Sequence, residues 1–107
     1  MCNDIDGVRY RIDSSVTALG RRWAAPILFE ILSGNDSFNA LLTAIPGVNP
    51  NTLSARLREY QESGLIKKHR LGSKHQKTRY VLTEKGHEMR KLIREIVSYS
   101  LKWHSGA

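Results

Sequence analysis

The sequence predicts a mainly α-helical fold with one small β-hairpin, five helices plus a wing, and three observations carry that reading. Apolar residues recur at helical three- and four-residue spacing in most of the chain. Two of the helical segments are parted by Ile45-Pro46-Gly47-Val48-Asn49, a sequence that breaks a helix and restarts it. Then Ser63 to Thr83 reads as two short strands around a Gly-Ser-Lys-His turn, holding no acidic residue and six Lys or Arg. Helix, break, helix and basic hairpin, in that order, is the layout of a winged helix-turn-helix.

Residues 1 to 10 show no periodicity and read as a flexible arm, leaving residues 11 to 107 as one domain. Asp13 caps a short helix in which Val16 and Leu19 share a face, closed by Gly20. A second helix runs from about Trp23 to Ser33, with Pro26 tolerated in its first turn and Gly34 as its stop. Ile27, Leu28, Phe29, Ile31 and Leu32 make it apolar almost all round, as a buried central helix requires.

The helix-turn-helix occupies about 37 to 63. Ser37 caps its first helix, Phe38 to Ala44, with Leu41, Leu42 and Ile45 facing inward. Asn49-Pro50 opens the second, pairing a side-chain cap with a residue that needs no N–H partner. Leu53, Leu57 and Tyr60 form its inward stripe, and Gly64 ends it. The wing follows over about 66 to 82, with strands Ile66 to Leu71 and Thr78 to Leu82. Thr83 caps a last helix from Glu84 to about Trp103, one broad face of which carries Met89, Leu92, Ile93, Ile96, Val97, Ser100 and Trp103.

Composition narrows the partners. Seventeen Lys and Arg against ten Asp and Glu give a net charge of +7, which favours a polyanion such as nucleic acid or an anionic surface. No apolar run reaches the ~18–20 residues of a membrane span, and the polar, acidic start is unlike a secretory signal. One cysteine forms no internal disulfide, which is compatible with a reducing cytoplasm. His69, His75, His87, His104 and Cys2 lack the short spacings of zinc sites, and no phosphate loop or nucleophile elbow occurs. The expectation is a protein with no metal, no cofactor and no catalytic residue.

At about 100° per residue, with Leu53 as origin, Asn51 falls at about 160°, Ala55 at about 200° and Arg58 at about 140°, all opposite the buried stripe. Thr52 and Ser54 flank that face. Recognition helices dock their N-terminal residues on base edges, so Asn51, Thr52, Ser54, Ala55 and Arg58 are the candidate base readers. Glu59, Gln61 and Glu62 are read as solvent-facing. Arg56, at about 300°, either bridges to a phosphate or packs its stem. Lys74 and Lys77 lead the candidate phosphate contacts, followed by Lys68, Arg70 and Arg79 in the strands and Arg22 before the central helix.

Several pieces together resemble the HxlR-type winged helix-turn-helix transcriptional regulators of bacteria and archaea, relatives of the MarR regulators. They are Gly20-Arg21-Arg22-Trp23, Phe38 with Leu41, Ile45-Pro46-Gly47-Val48, Leu53, Leu57-Arg58-Glu59, Gly64-Leu65-Ile66 and Tyr80-Val81-Leu82-Thr83-Glu84-Lys85-Gly86. The resemblance spans about 12 to 103. It implies a cytoplasmic, nucleoid-associated homodimer that binds an inverted-repeat operator in double-stranded DNA, with the first and last helices (84 to 103 for the last) building the dimer. The dimer residues are then Val16, Leu19, Met89, Ile93, Ile96, Val97, Ser100 and Trp103. An unidentified small-molecule effector is compatible with this picture. Two rival readings stay open: a winged-helix protein–protein module, and a nucleoid-coating protein without sequence preference. The wing departs from the usual pattern, with His75 and Gln76 where many members carry a Pro-Pro pair. Some members sense oxidants through a cysteine at positions that correspond here to about Arg9 and Tyr10. Cys2 lies upstream of that point, so the redox role is not carried over.

Overall fold

The computed structural model describes residues 12–71 and 77–104. The proposed arm over residues 1 to 10, Cys2, Lys74 and His75 lie outside the described residues. The elements are α1 (Ser14–Leu19), α2 (Ala24–Leu32), α3 (Phe38–Ala44), α4 (Pro50–Glu62), β1 (Ile66–Leu71), β2 (Lys77–Leu82), α5 (Glu84–Glu88) and α6 (Arg90–His104). The last helix is thus divided at Met89, giving six helices among the described residues where five were expected.

Each expected cap is present. Asp13 accepts from the Ser15 backbone N–H, Ser37 from Ala40, Asn49 from Thr52 at 2.8 Å and Thr83 from Gly86 at 3.0 Å. In each case a short oxygen-bearing side chain satisfies a first-turn N–H that has no partner inside the helix. Pro50 occupies the first turn of α4.

Helix α2 is central, packing against α1, α3, α6 and β2. Ala24, Ile27, Leu28, Leu41, Leu53, Leu57, Tyr60, Leu65 and Ile93 close the core around it. Trp23, expected inside the helix, instead precedes it in the left-handed region at φ 75°. For a large aromatic residue that conformation costs on the order of 1–3 kcal/mol and persists only where packing over-determines it. The packing is visible: the Trp23 ring lies against Gly47, where an added Cβ would come within 3.3 Å of the ring edge. Gly47 itself has φ 92°, so both ends of this contact are conformationally special.

The hairpin is antiparallel, running from Ile66 opposite Leu82 to Leu71 opposite Lys77. Its outer edge is bound to the chain before α3, because the Tyr80 N–H donates to the Asp36 carbonyl at 2.8 Å. That bond and the buried Ile66 and Tyr80 fix the wing base on the helical body. Among the described residues, no helix is long and apolar enough to cross a membrane.

Candidate nucleic-acid interface

Helix α4 is amphipathic in the orientation its sequence predicted. Leu53, Leu57 and Tyr60 are buried completely or nearly so, and Asn51, Ser54 and Arg58 are exposed on the opposite side. Thr52 and Ala55 are half-buried at the margins of that face. The five candidate base readers therefore lie on one continuous outer surface of α4. Asn49 holds the start of the helix, so the end that carries Asn51 is anchored.

The hairpin distributes its charges by register. Opposed residues of an antiparallel pair share a face, so Lys68 and Arg70, opposite Tyr80 and Thr78, fall on one side. His69 and Arg79, opposite each other, fall on the other side. Lys68, Arg70 and Arg79 are all exposed. Arg79 is also engaged within the chain, its guanidinium 3.7 Å from the Asp36 carboxylate. Lys77 enters as the first backbone position of β2. Arg22 is exposed, with its guanidinium 5.1 Å above the Trp23 ring, a cation–π stack that directs the side chain along that ring.

Arg56, half-buried, is held within its own chain. Its Nε donates to the Arg22 carbonyl at 3.0 Å and its Nη1 to Glu59 Oε2 at 3.3 Å. Glu59 in turn places Oε1 3.7 Å from Arg21 Nε. Glu59, read from sequence as solvent-facing, is therefore part of an internal ionic cluster. An open groove of about 570 Å³ beside it runs between α1 and α4, bordered by Ile12, Thr17, Arg21 and Glu62.

The apolar face of the last helix separates into two stripes. Ile93 is fully buried in the chain's own core, and Met89 and Leu19 pack against that core. Ile93 accordingly has no surface to offer a second chain, a correction to its placement among dimer residues. In α1 the buried positions are Ser15 and Ala18, and Val16 is exposed. Leu92, Ile96, Tyr99 and Trp103 are exposed, Val97 is half-buried and Ser100 is exposed. Leu92 and Tyr99 join the expected Ile96, Ser100 and Trp103 on the exposed side of the helix. The four-three-four spacing of Leu92, Ile96, Tyr99 and Trp103 is the signal that finds them, because it keeps all four within about 60° of rotation.

Among the described residues no group of His, Cys, Asp and Glu is placed to hold a metal. A helix-turn-helix with an exposed recognition face and a basic hairpin defines a DNA-binding transcriptional regulator of the winged-helix class. The chain belongs to the HxlR-like helix-turn-helix family, whose pattern it matches over residues 18–106. It is 30% identical over 93 residues to the HTH-type transcriptional regulator YvaP of Bacillus subtilis, covering 87% of this chain and 86% of YvaP. The crystal structure of diamide-treated YodB from B. subtilis superposes with a TM-score of 0.73 at 24% identity, over 89% of this chain and 94% of that one. A MarR-family transcriptional regulator structure from Porphyromonas gingivalis W83 gives 0.73 at 26% identity, over 89% and 93%. These relatives are regulators rather than enzymes.

Proposed function

We propose that this regulator reads an inverted-repeat operator as a homodimer, in the cytoplasm and on the nucleoid. The observation that carries the reading is the exposed surface formed by Asn51, Ser54 and Arg58 on a helix whose opposite side is wholly buried. Asn pairs bidentately with adenine and Arg with guanine, so this surface has the chemistry to discriminate bases. Lys68, Arg70, Lys74, Lys77, Arg79 and Arg22 supply phosphate contacts that set register and orientation without carrying sequence information. The α6 stripe of Leu92, Ile96, Tyr99 and Trp103, with Val16 on α1, supplies the seam between two copies. Two recognition helices then sit about 34–36 Å apart, one turn of B-DNA.

Selection of bound sites from a random duplex library tests the function. The expected result is a palindromic consensus with half-site centres about one helical turn apart. Salt-dependent binding with no consensus would make the chain a coating protein. Absence of salt-dependent duplex binding would make the fold a protein–protein module.

A further inference from the structure

We infer that Arg56 is a positioning residue for operator reading, which locks the rotation of α4 to the Gly20–Trp23 turn and touches no DNA. The inference rests on α4 being the recognition helix.

The contacts form a closed circuit. Arg56 donates one N–H to the Arg22 carbonyl, across 34 residues of sequence, and a second to Glu59, one turn farther along α4. Glu59 reaches back to Arg21, the neighbour of the residue at which the circuit began. The planar guanidinium fork presents Nε and Nη1 in a fixed relation, so the two bonds together set the direction of the side chain. Only 18% of the Arg56 side chain is exposed, unlike the exposed Arg58 two positions on. Arg56 also lies about 100–160° around the helix from Asn51, Ser54, Ala55 and Arg58, and about 40° from Thr52. When Asn51 faces the groove, the Arg56 fork points to its own chain.

The same turn makes a second contact with the helix-turn-helix. Trp23 holds its left-handed backbone with its ring against Gly47, in the break between α3 and α4. One turn therefore touches the entry to the recognition helix through Trp23 and its flank through Arg22. Two separated points fix rotation where one fixes only position. Rotation matters here because reading tips lie about 5 Å from the helix axis, so a turn of about 20° moves them roughly 2 Å. Hydrogen bonds tolerate only about 0.5 Å of spread. The cluster also accounts for an acidic residue on the DNA-binding helix of a basic chain: Glu59 holds the fork of Arg56 and is itself flanked by two guanidinium groups.

The test compares wild type with Arg56→Met, Arg56→Lys and Glu59→Gln. Met keeps the apolar stem and removes the fork; Lys keeps the charge without the two-point geometry. Each variant is titrated at several salt concentrations against the selected operator and a scrambled duplex, with far-UV circular dichroism confirming the fold. Arg56→Met is expected to lose about tenfold of operator preference, the scale of one lost base contact, with scrambled-duplex affinity and salt slope unchanged. Arg56→Lys is expected to restore part of the preference. A fall of about 0.9 in the scrambled-duplex slope would make Arg56 a phosphate contact and overturn the inference. So would a folded Arg56→Met with undiminished preference. Should Arg56→Met not fold, Glu59→Gln decides: reduced preference at unreduced scrambled-duplex affinity supports the circuit, and full preference overturns it. A wild-type protein that itself shows no preference would overturn the operator function as well, which separates the two failures.

Discussion

Gly86 stands so close to Leu65 that a Cβ added at Gly86 would overlap the Leu65 carbonyl oxygen and meet Leu82 Cδ2 at 2.9 Å. The obstacle is backbone, and it is held in place. The Leu65 carbonyl accepts from the Thr83 N–H at 2.9 Å and from the Thr83 hydroxyl at 3.2 Å. Gly86→Ala must therefore push α5 away from the start of the wing. The expected loss is about 1–3 kcal/mol, as for an overpacked core site. Thermal unfolding followed by circular dichroism should show a melting point lower by roughly 10 °C. An unchanged melting point would mean that this corner yields more easily than its hydrogen bonds indicate.

Asp13 and Lys85 join α1 to α5 across the chain, with Lys85 Nζ 3.0 Å from the Asp13 carboxylate and 2.9 Å from the Ser63 carbonyl at the end of α4. The Ser15 hydroxyl, then the Ser15 backbone N–H, then Lys85 hold the Asp13 carboxyl down at about 2. Because the folded state binds this proton less readily than the unfolded chain, the contribution is present above the ordinary carboxylate value. It is lost as pH falls from about 4 through 2. The site is exposed, so solvent screening keeps the effect small. Melting points from pH 5 to 2 should fall less steeply for Asp13→Asn than for wild type, although the variant is the less stable protein at pH 7. Parallel slopes would show that Asp13 does not contribute to the acid response.

Tyr60 is buried, and its hydroxyl has no hydrogen-bond partner among the described residues. Burial also pushes its phenol well above the ordinary tyrosine range. An unpaired buried hydroxyl costs about 1–3 kcal/mol, so removing it relieves a penalty and leaves only a small void. Tyr60→Phe is expected to match or exceed wild type in midpoint on urea unfolding. A clear loss of stability would point to a partner for the hydroxyl beyond the described residues.

Four helix starts and their caps were legible in sequence because their causes are local: Asp13, Ser37, Asn49 and Thr83 each bond a backbone N–H two or three residues on. The exposed face of α4 was legible for a related reason. Leu53, Leu57 and Tyr60 identify the inward direction, and helical rotation fixes the rest. The Arg56 circuit was not legible, since its acceptor is a carbonyl 34 residues away and no periodicity encodes that meeting. Nor was the left-handed Trp23, because local sterics argue against it and packing on Gly47 overrides them. In α6 the periodicity was visible, but the division between core and surface depended on where α2 docks. That docking takes Ile93 inward and leaves Leu92, Ile96, Tyr99 and Trp103 outside.

This division gives the proposed seam a matched control. Tyr99 is exposed within the stripe, and Leu101 is equally exposed but lies about 140–180° around α6 from the stripe residues. Tyr99→Lys would set an unpaired charge in a packed interface, a change of several kcal/mol in unfavourable surroundings. Leu101→Lys would only make a solvated position more polar. Light scattering coupled to gel filtration should find Tyr99→Lys monomeric and folded, and Leu101→Lys dimeric. Loss of the dimer in both variants, or in neither, would remove the stripe from the interface.

Helix and wing should fail in different ways when they are disabled. Lys74 and Lys77 are assigned to phosphates, which offer the same charge in every sequence. Changing both to Ala should weaken binding to all duplexes alike and lower the log–log salt slope by about two, at roughly 0.9 per contact. Arg79 should contribute less than either lysine, because part of its charge is already engaged by Asp36. Asn51 and Arg58 are assigned to base edges, where a lost bidentate contact removes about 1–3 kcal/mol of discrimination. Their replacement by Ala should cost operator affinity and leave scrambled-duplex affinity nearly unchanged, since neither residue is asked to neutralise a phosphate in the non-specific complex. Titration of both duplexes at several salt concentrations measures slope and preference in one experiment. Equal losses on the two duplexes for Asn51→Ala would mean that α4 does not read bases at that position. A wing double variant with the wild-type slope would mean that the acid-free hairpin is a solvated surface, and that the phosphate contacts are made elsewhere on the chain.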